Sequence, residues 1–162
     1  MTQQTPSADI RRDLVALLPR LRRFALTLTG SEPDADELVR ESCGHAIQKS
    51  HHWKGEGRLE SWLFSLIRST WTDGSRNRRR GTAGSQEQGG ASSAEAAVPQ
   101  EHSLLSMPEG CASAFLLREL EGFSYAEGAA ILNMTVEAFA GRLCSARLRL
   151  AAIDVDMAER RA

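Results

Sequence analysis

Apolar positions recur every three to four residues over most of this chain and nowhere alternate in twos, so the sequence predicts an all-α protein. Leu14, Leu17, Leu18, Leu21, Phe24, Ala25 and Leu28 trace one side of a first helix. Gly30 ends it, glycine being the usual residue just past a helix C-terminus. A second helix is predicted from about Pro33, with Ala35, Leu38, Val39, Ala46 and Ile47 on its apolar side. Its acidic residues Glu32, Asp34, Asp36 and Glu37 gather near the N-terminus, where the helix dipole favours carboxylates. After a break over His51 to Gly57, Leu59, Trp62, Leu63, Leu66, Ile67 and Thr70 line the inner side of a third helix. That helix runs out through Asp73 into a basic cluster, Arg76, Asn77, Arg78, Arg79 and Arg80. Three helices sharing one core give a first module over residues 8–80.

From 81 to 103 the chain is Gly, Ser, Ala, Gln and Glu with almost no large apolar residue, so it buries too little surface to offset its ordering entropy. It reads as a flexible linker with an end-to-end distance on the order of 25–30 Å. A second module is expected over 104–153, where Leu104, Leu105, Phe115, Leu116, Leu117 and Leu120 predict one or two helices beneath a helix-turn-helix. The first helix of that pair opens on Ser124 and Glu127, which have the spacing of a capping box. Asn133 sits where the chain must turn and tolerates the left-handed conformation, and Thr135 can cap the next helix. In that second helix, predicted from Val136 to Leu150, Val136, Phe139, Leu143, Ala146 and Leu150 fall on the packing side. Ala138, Arg142, Ser145 and Arg149 fall on another, available to a DNA major groove.

Composition narrows the classes. A chain of 162 residues with 41% hydrophobic and 25% charged residues is that of a soluble globular protein. It has no run approaching a membrane span and no signal-peptide centre, which places it in the cytoplasm by expectation. Cys43, Cys111 and Cys144 are odd in number and far apart, a pattern of small buried or half-buried side chains and not of a disulfide framework. The net charge of −1 hides an asymmetry. Residues 1–80 hold 14 Lys and Arg against 10 Asp and Glu, a balance of +4, whereas 81–162 hold 6 against 11, a balance of −5. The first half has the sign a polyanion-binding module needs.

Four segments in order carry a resemblance: Leu18-Pro19-Arg20-Leu21-Arg22-Arg23-Phe24-Ala25; Asp34-Ala35-Asp36-Glu37-Leu38-Val39-Arg40-Glu41; Arg58-Leu59-Glu60-Ser61-Trp62-Leu63-Phe64; and Leu117-Arg118-Glu119-Leu120-Glu121-Gly122-Phe123-Ser124-Tyr125-Ala126-Glu127. With the arginine cluster before the linker, they make the chain resemble the extracytoplasmic-function (ECF) sigma factors of bacterial RNA polymerase. The resemblance spans nearly the whole chain. It implies two small helical domains, sigma region 2 up to about Arg80 and sigma region 4 from about Leu104. It also implies a promoter-specificity subunit that does no chemistry and needs no cofactor or metal. Its partners would be core polymerase, through the β′ clamp helices and the β flap, promoter DNA, and an anti-sigma factor.

The resemblance assigns roles by position. Asp36, Glu37, Arg40 and Glu41, otherwise a solvated helix face, lie where family members dock on the clamp helices. Arg40 stands where the family usually has Gln. Lys54, Arg58, Arg68 and Ser69 are the candidates for holding the opened minus-10 element, and Arg76, Arg78, Arg79 and Arg80 for phosphates of the upstream duplex. Ser65 and Ser69 replace the family's usual Arg and Asn. Trp62 is expected in the core, sharing a face with Leu59, Leu63 and Leu66. Thr135, Ala138, Arg142, Ser145 and Arg149 are the candidates for the minus-35 element. There Phe139-Ala140-Gly141-Arg142-Leu143-Cys144-Ser145-Ala146-Arg147 departs from the family pattern, lacking a serine and an arginine. Gly141 would cost the helix up to about 1 kcal/mol relative to Ala. Glu137 puts negative charge where phosphates approach, Gly110-Cys111-Ala112 replaces a polar stretch, and Gly128 replaces an apolar core residue. Weak or altered minus-35 contact is therefore expected.

The competing readings have less behind them. His45, His51, His52 and His102 lack partners for nucleophilic catalysis, and Cys43 with His45, His51 and His52 makes a metal site only if the second helix ends so as to converge them. An ordinary helix-turn-helix repressor needs a dimer surface and a ligand pocket, whereas a free sigma factor is expected to be monomeric. The alternative from another class is a sigma-like protein-interaction module, a decoy or anti-sigma-binding regulator without productive promoter recognition. Closed packing of the two modules on one another is expected of an inhibited state only.

Overall fold

The computed structural model describes residues 6–50, 58–81, 107–108 and 110–160, with the backbone alone at 6–9, 78–81, 156 and 157. Trp53, Lys54, His51, His52, His102, Leu104, Leu105 and the linker from 82 to 103 lie outside it. The described residues form six α-helices and no strand: α1 (Pro6–Thr29), α2 (Glu32–Gln48), α3 (Leu59–Gly81), α4 (Cys111–Phe115), α5 (Tyr125–Ile131) and α6 (Val136–Glu159). α4 continues directly into a wider π-helical turn, Leu116–Leu120, closed by the Glu121 amide donating to the Leu116 carbonyl.

The local signals act as their chemistry dictates. Gly30 takes φ +70° and its amide donates to the Leu26 carbonyl, ending α1. Ser124 and Glu127 form the full capping box at the start of α5. Asn133 holds φ +53° in the turn, and the Thr135 hydroxyl accepts from the Ala138 amide at 3.2 Å. Two helices are longer than expected. α3 continues through the basic cluster to Gly81, and α6 continues past Leu150 to Glu159, because Ala151 to Glu159 contains no glycine or proline to stop it.

The first module packs Ile10, Leu14, Leu17, Leu21, Phe24 and Ala25 of α1 against Ala35, Leu38, Val39 and Ala46 of α2 and Leu63, Leu66 and Ile67 of α3. Trp62 and Trp71 are partly buried against this core, as expected for Trp62. Leu18 and Ile47 turn outward, 37% and 39% exposed, and so does Leu120 beyond the π turn at 55%. Val136 also leaves the packing side of α6, at 44% exposed, because it occupies the first turn, ahead of the core reached by Phe139, Leu143 and Ala146.

The two modules pack against one another in this structure. Phe64 of α3, fully buried, joins them. Its ring meets Phe24 at 5.0 Å and Phe123 of the second module at 5.5 Å, both edge to face. Such pairs add to the area they bury. Beside them the Thr27 and Ser113 hydroxyls are 2.8 Å apart, and Arg20 Nε donates to the buried Glu121 carboxylate at 2.5 Å. The apolar positions of the two modules thus merge in one core.

Candidate nucleic-acid and polymerase interfaces

α2 presents one exposed polar strip. Ala35, Leu38, Val39 and Ser42 face inward, which leaves Asp36, Glu37, Arg40 and Glu41 on the opposite side in solvent. Arg22 of α1 donates to Asp36 through Nε at 2.5 Å and approaches Glu32 at 3.6 Å. This hydrogen bond holds the Asp36 carboxyl below the usual carboxylate range. Arg40 pairs with Glu37 one turn back on the same helix. Behind the strip, Asp34, Glu37, Leu38 and Glu41 share a groove of about 210 Å³ with Thr70, Trp71 and Gly74 of α3. The groove is acidic on one wall and aromatic on the other.

The outer side of α3 carries the candidates for strand binding. Arg68 is half-buried and hydrogen-bonds the Thr72 hydroxyl, the Ser69 hydroxyl donates to the Leu66 carbonyl at 2.9 Å, and Arg76 is exposed. Arg78, Arg79 and Arg80 continue the same helix, which fixes their backbone in register with Arg76. Arg68, Ser69, Thr72, Asp73 and Arg76 line a cleft of about 310 Å³ whose far wall is Ala130 to Asn133 of the helix-turn-helix. Arg58, at the head of α3, lies apart from them. It pairs with Glu60 at 3.3 Å and Glu127 at 3.8 Å, and its guanidinium sits 5.1 Å from the Phe123 ring centre.

Thr135, just before α6, and Ala138, Ser145 and Arg149 on it are exposed, as is Gly141, with open space where its Cβ would stand. Arg142 is different. It is half-buried over the turn before α4, where Gly110 takes φ +84° and any Cβ would meet the guanidinium at 2.3 Å. Gly110 therefore serves the left-handed turn, with the flexible Arg142 side chain lying over it. The other departure is one of packing: a Cβ on Gly128 would lie 2.4 Å from the Phe139 ring. The large aromatic and the missing side chain are two halves of one packing solution.

Sequence periodicity missed Phe64, Glu121 and Phe123 as a group, because their burial comes from contact between modules and not within either one. Glu121 is the sharpest case: a carboxylate whose side chain is 1% exposed, held by Arg20 and Arg23 of α1. Among the described residues no group of His, Cys, Asp and Glu is placed to hold a metal ion, and no helix is long and apolar enough to cross a membrane.

This arrangement, a three-helix module with an exposed polar strip and a basic third helix followed by a capped helix-turn-helix, is that of a sigma-type transcription protein. Residues 14–81 match the family described as Sigma-70 region 2, and residues 101–150 the one described as Sigma-70, region 4. Over 153 residues the chain is 30% identical to the ECF RNA polymerase sigma factor EcfG of Rhodopseudomonas palustris (strain TIE-1), covering 90% of this chain and 84% of that protein. It superimposes with a TM-score of 0.74 and 25% identity on the sigma factor RpoE in complex with the anti-sigma factor NepR from Bartonella quintana, over 90% of this chain and 96% of that one. CnrH in complex with the cytosolic domain of CnrY shares the fold at TM-score 0.60 and 22% identity, over 93% and 94% of the two chains. The chain belongs to the ECF sigma factors.

Proposed function

We propose that this chain binds core RNA polymerase and directs initiation at specific promoters, under the control of an anti-sigma factor. The observation that carries the reading is the presence of both sigma regions in order within a match to an ECF sigma factor over 90% of the chain. Asp36, Glu37, Arg40 and Glu41 make the contact with the polymerase clamp helices, and their exposure on α2 suits them to it. Lys54, Arg58, Arg68 and Ser69 hold the opened minus-10 strand, and Arg76 to Arg80 take phosphates of the duplex behind it. Thr135, Ala138, Ser145 and Arg149 face the minus-35 element; Arg142 joins them only by leaving Gly110. Anti-sigma control is supported by the likeness to RpoE, whose structure holds NepR. The protein is a non-catalytic regulator acting in the cytoplasm, monomeric when free, with residues 8–80 and 104–153 as its working domains.

Titrating core polymerase with labelled protein tests the polymerase contact. Saturable one-to-one binding that is lost in Asp36→Lys plus Glu37→Lys supports it, and unaltered binding by that variant refutes the assigned strip.

One observation favours a second reading, a sigma-like interaction module. The fold also matches, at TM-score 0.54 and 20% identity, half of the anti-anti-sigma factor PhyR of Bartonella quintana in its complex with the anti-sigma factor NepR. On that reading the chain titrates an anti-sigma factor and starts no transcript.

A further inference from the structure

We propose that the cleft between α3 and the turn after α5 binds a purine nucleoside monophosphate, its phosphate held by Arg68 and Arg76 and its base by the end of α5. This site goes beyond the sigma-factor reading and stands without it, although Arg68, Ser69 and Arg76 are also assigned there to the promoter strand.

One face of α3 carries the groups that take the phosphate. Ser65, Arg68, Ser69, Thr72, Asp73 and Arg76 recur at helical spacing along the cleft. Arg68 and Arg76 stand eight residues apart, about 12 Å along the helix axis. Elsewhere the arginines meet carboxylates, as Arg20, Arg22, Arg40, Arg58 and Arg147 all do. Among the described residues, Arg68 and Arg76 have no such partner. Arg68 is half-buried and donates through one nitrogen to the Thr72 hydroxyl. A guanidinium carries five N–H donors, so Arg68 keeps others for a ligand, and a phosphate is the anion whose geometry they fit.

Asp73 sets how much negative charge the cleft accepts. It lines the same face and pairs with neither arginine, so the lining holds two cations against one anion. That balance suits one phosphate and opposes a di- or triphosphate. The ionised Asp73 carboxylate only accepts hydrogen bonds, which suits it to the hydroxyls of a ribose.

The opposite wall sets the rest of the ligand. Ala130, Ile131 and Leu132 give it apolar surface, and Asn133 an amide that both donates and accepts. The amides of Leu132, Asn133 and Met134 return to the Gly128, Ala130 and Ala129 carbonyls. The carbonyls of Ile131 and Leu132 follow as acceptors at the end of α5. A helix C-terminus carries partial negative charge, which repels a phosphate and attracts a donor. The exocyclic amino group of a purine is such a donor. The cleft volume, about 310 Å³, is at the small end of ligand pockets, room for one ring system, one sugar and one phosphate.

Isothermal titration calorimetry of the full chain with GMP and AMP, and with guanosine and inorganic phosphate as fragments, tests the site. One-to-one binding of GMP or AMP is expected, with Kd below about 1 mM and at least about tenfold tighter than either fragment. Arg76→Ala, at an exposed position, should weaken the nucleotide about tenfold at unchanged helicity. Asn133→Gly keeps the left-handed turn and removes the amide, and should weaken it as well. In nuclear magnetic resonance the amides of residues 68–76 and 130–133 should shift together on addition of the nucleotide. No binding of either nucleotide at about 5 mM, well above that Kd, overturns the site. So does an equal affinity for inorganic phosphate, or binding that Arg76→Ala leaves unchanged. Polymerase and promoter are absent from these measurements, so failure here leaves the sigma-factor reading to its own test.

Discussion

The Phe139 ring occupies the space that a side chain on Gly128 would need: a Cβ there would stand 2.4 Å from Cζ and 2.6 Å from Cε2. Phe139 is fully buried and meets Tyr125 edge to face at 5.9 Å, so the ring has no room to retreat. The turn of this helix-turn-helix is therefore built around a glycine in α5 and an aromatic in α6, each explaining the other.

Gly128→Ala should consequently destabilise the chain by about 1–3 kcal/mol, the usual cost of overpacking, outweighing the gain in helix propensity. Phe139→Leu should also destabilise, through the cavity it opens. The double variant should lose less than the sum of the two, since residues in contact are not additive. Denaturant melts of the four proteins measure the coupling, and strict additivity would contradict the packing described.

Gly141 offers the opposite case. It lies in the exposed face of α6 with nothing within 4 Å of its Cβ position. Gly141→Ala should raise stability by about 0.5–1 kcal/mol, the helix-propensity difference, with no change in fold. A shift of the urea midpoint to higher concentration at unchanged slope is the expected result.

Most of the fold was legible because each module obeys helical periodicity and marks its ends with Gly30, Ser124, Asn133 and Thr135. The contact between modules was not. Phe64 lies off the inner stripe of α3, and Glu121 reads as an exposed acid beside a glycine turn; both are buried by elements far away in sequence. The site residues divide in the same way. The α2 strip and Ser145 stand where periodicity put them, whereas Arg142 is drawn onto Gly110 and Arg58 onto Phe123, contacts that no local pattern encodes.

Acid should destabilise the folded chain. Hydrogen bonds from Arg22 to Asp36, from Arg20 to Glu60, and from the Ser124 backbone to Glu127 hold these three carboxyls below their ordinary range. Groups depressed in the folded chain stabilise it above the unfolded value and lose that contribution as pH falls through the folded one. Melting temperature should therefore be insensitive to these groups between about pH 6 and 7 and fall progressively below about pH 4.5. Glu60→Gln should show a shallower acid decline than wild type, and an identical decline would remove Glu60 from the acid response.

The basic end of α3 makes a prediction in salt. Each phosphate contact contributes about one unit to the slope of log affinity against log salt. Arg78→Ala plus Arg79→Ala should weaken promoter complexes at low salt and reduce that slope by about 2. Unchanged slopes would refute a phosphate role for the cluster.

The central claim is that the chain directs initiation, and run-off transcription with purified core polymerase tests it most directly, on promoters upstream of its own gene and its neighbours with a no-sigma control. A transcript from a defined start that requires this protein is the result expected. Binding to core with no initiation on any template would contradict the claim and leave the interaction module as the function of the fold.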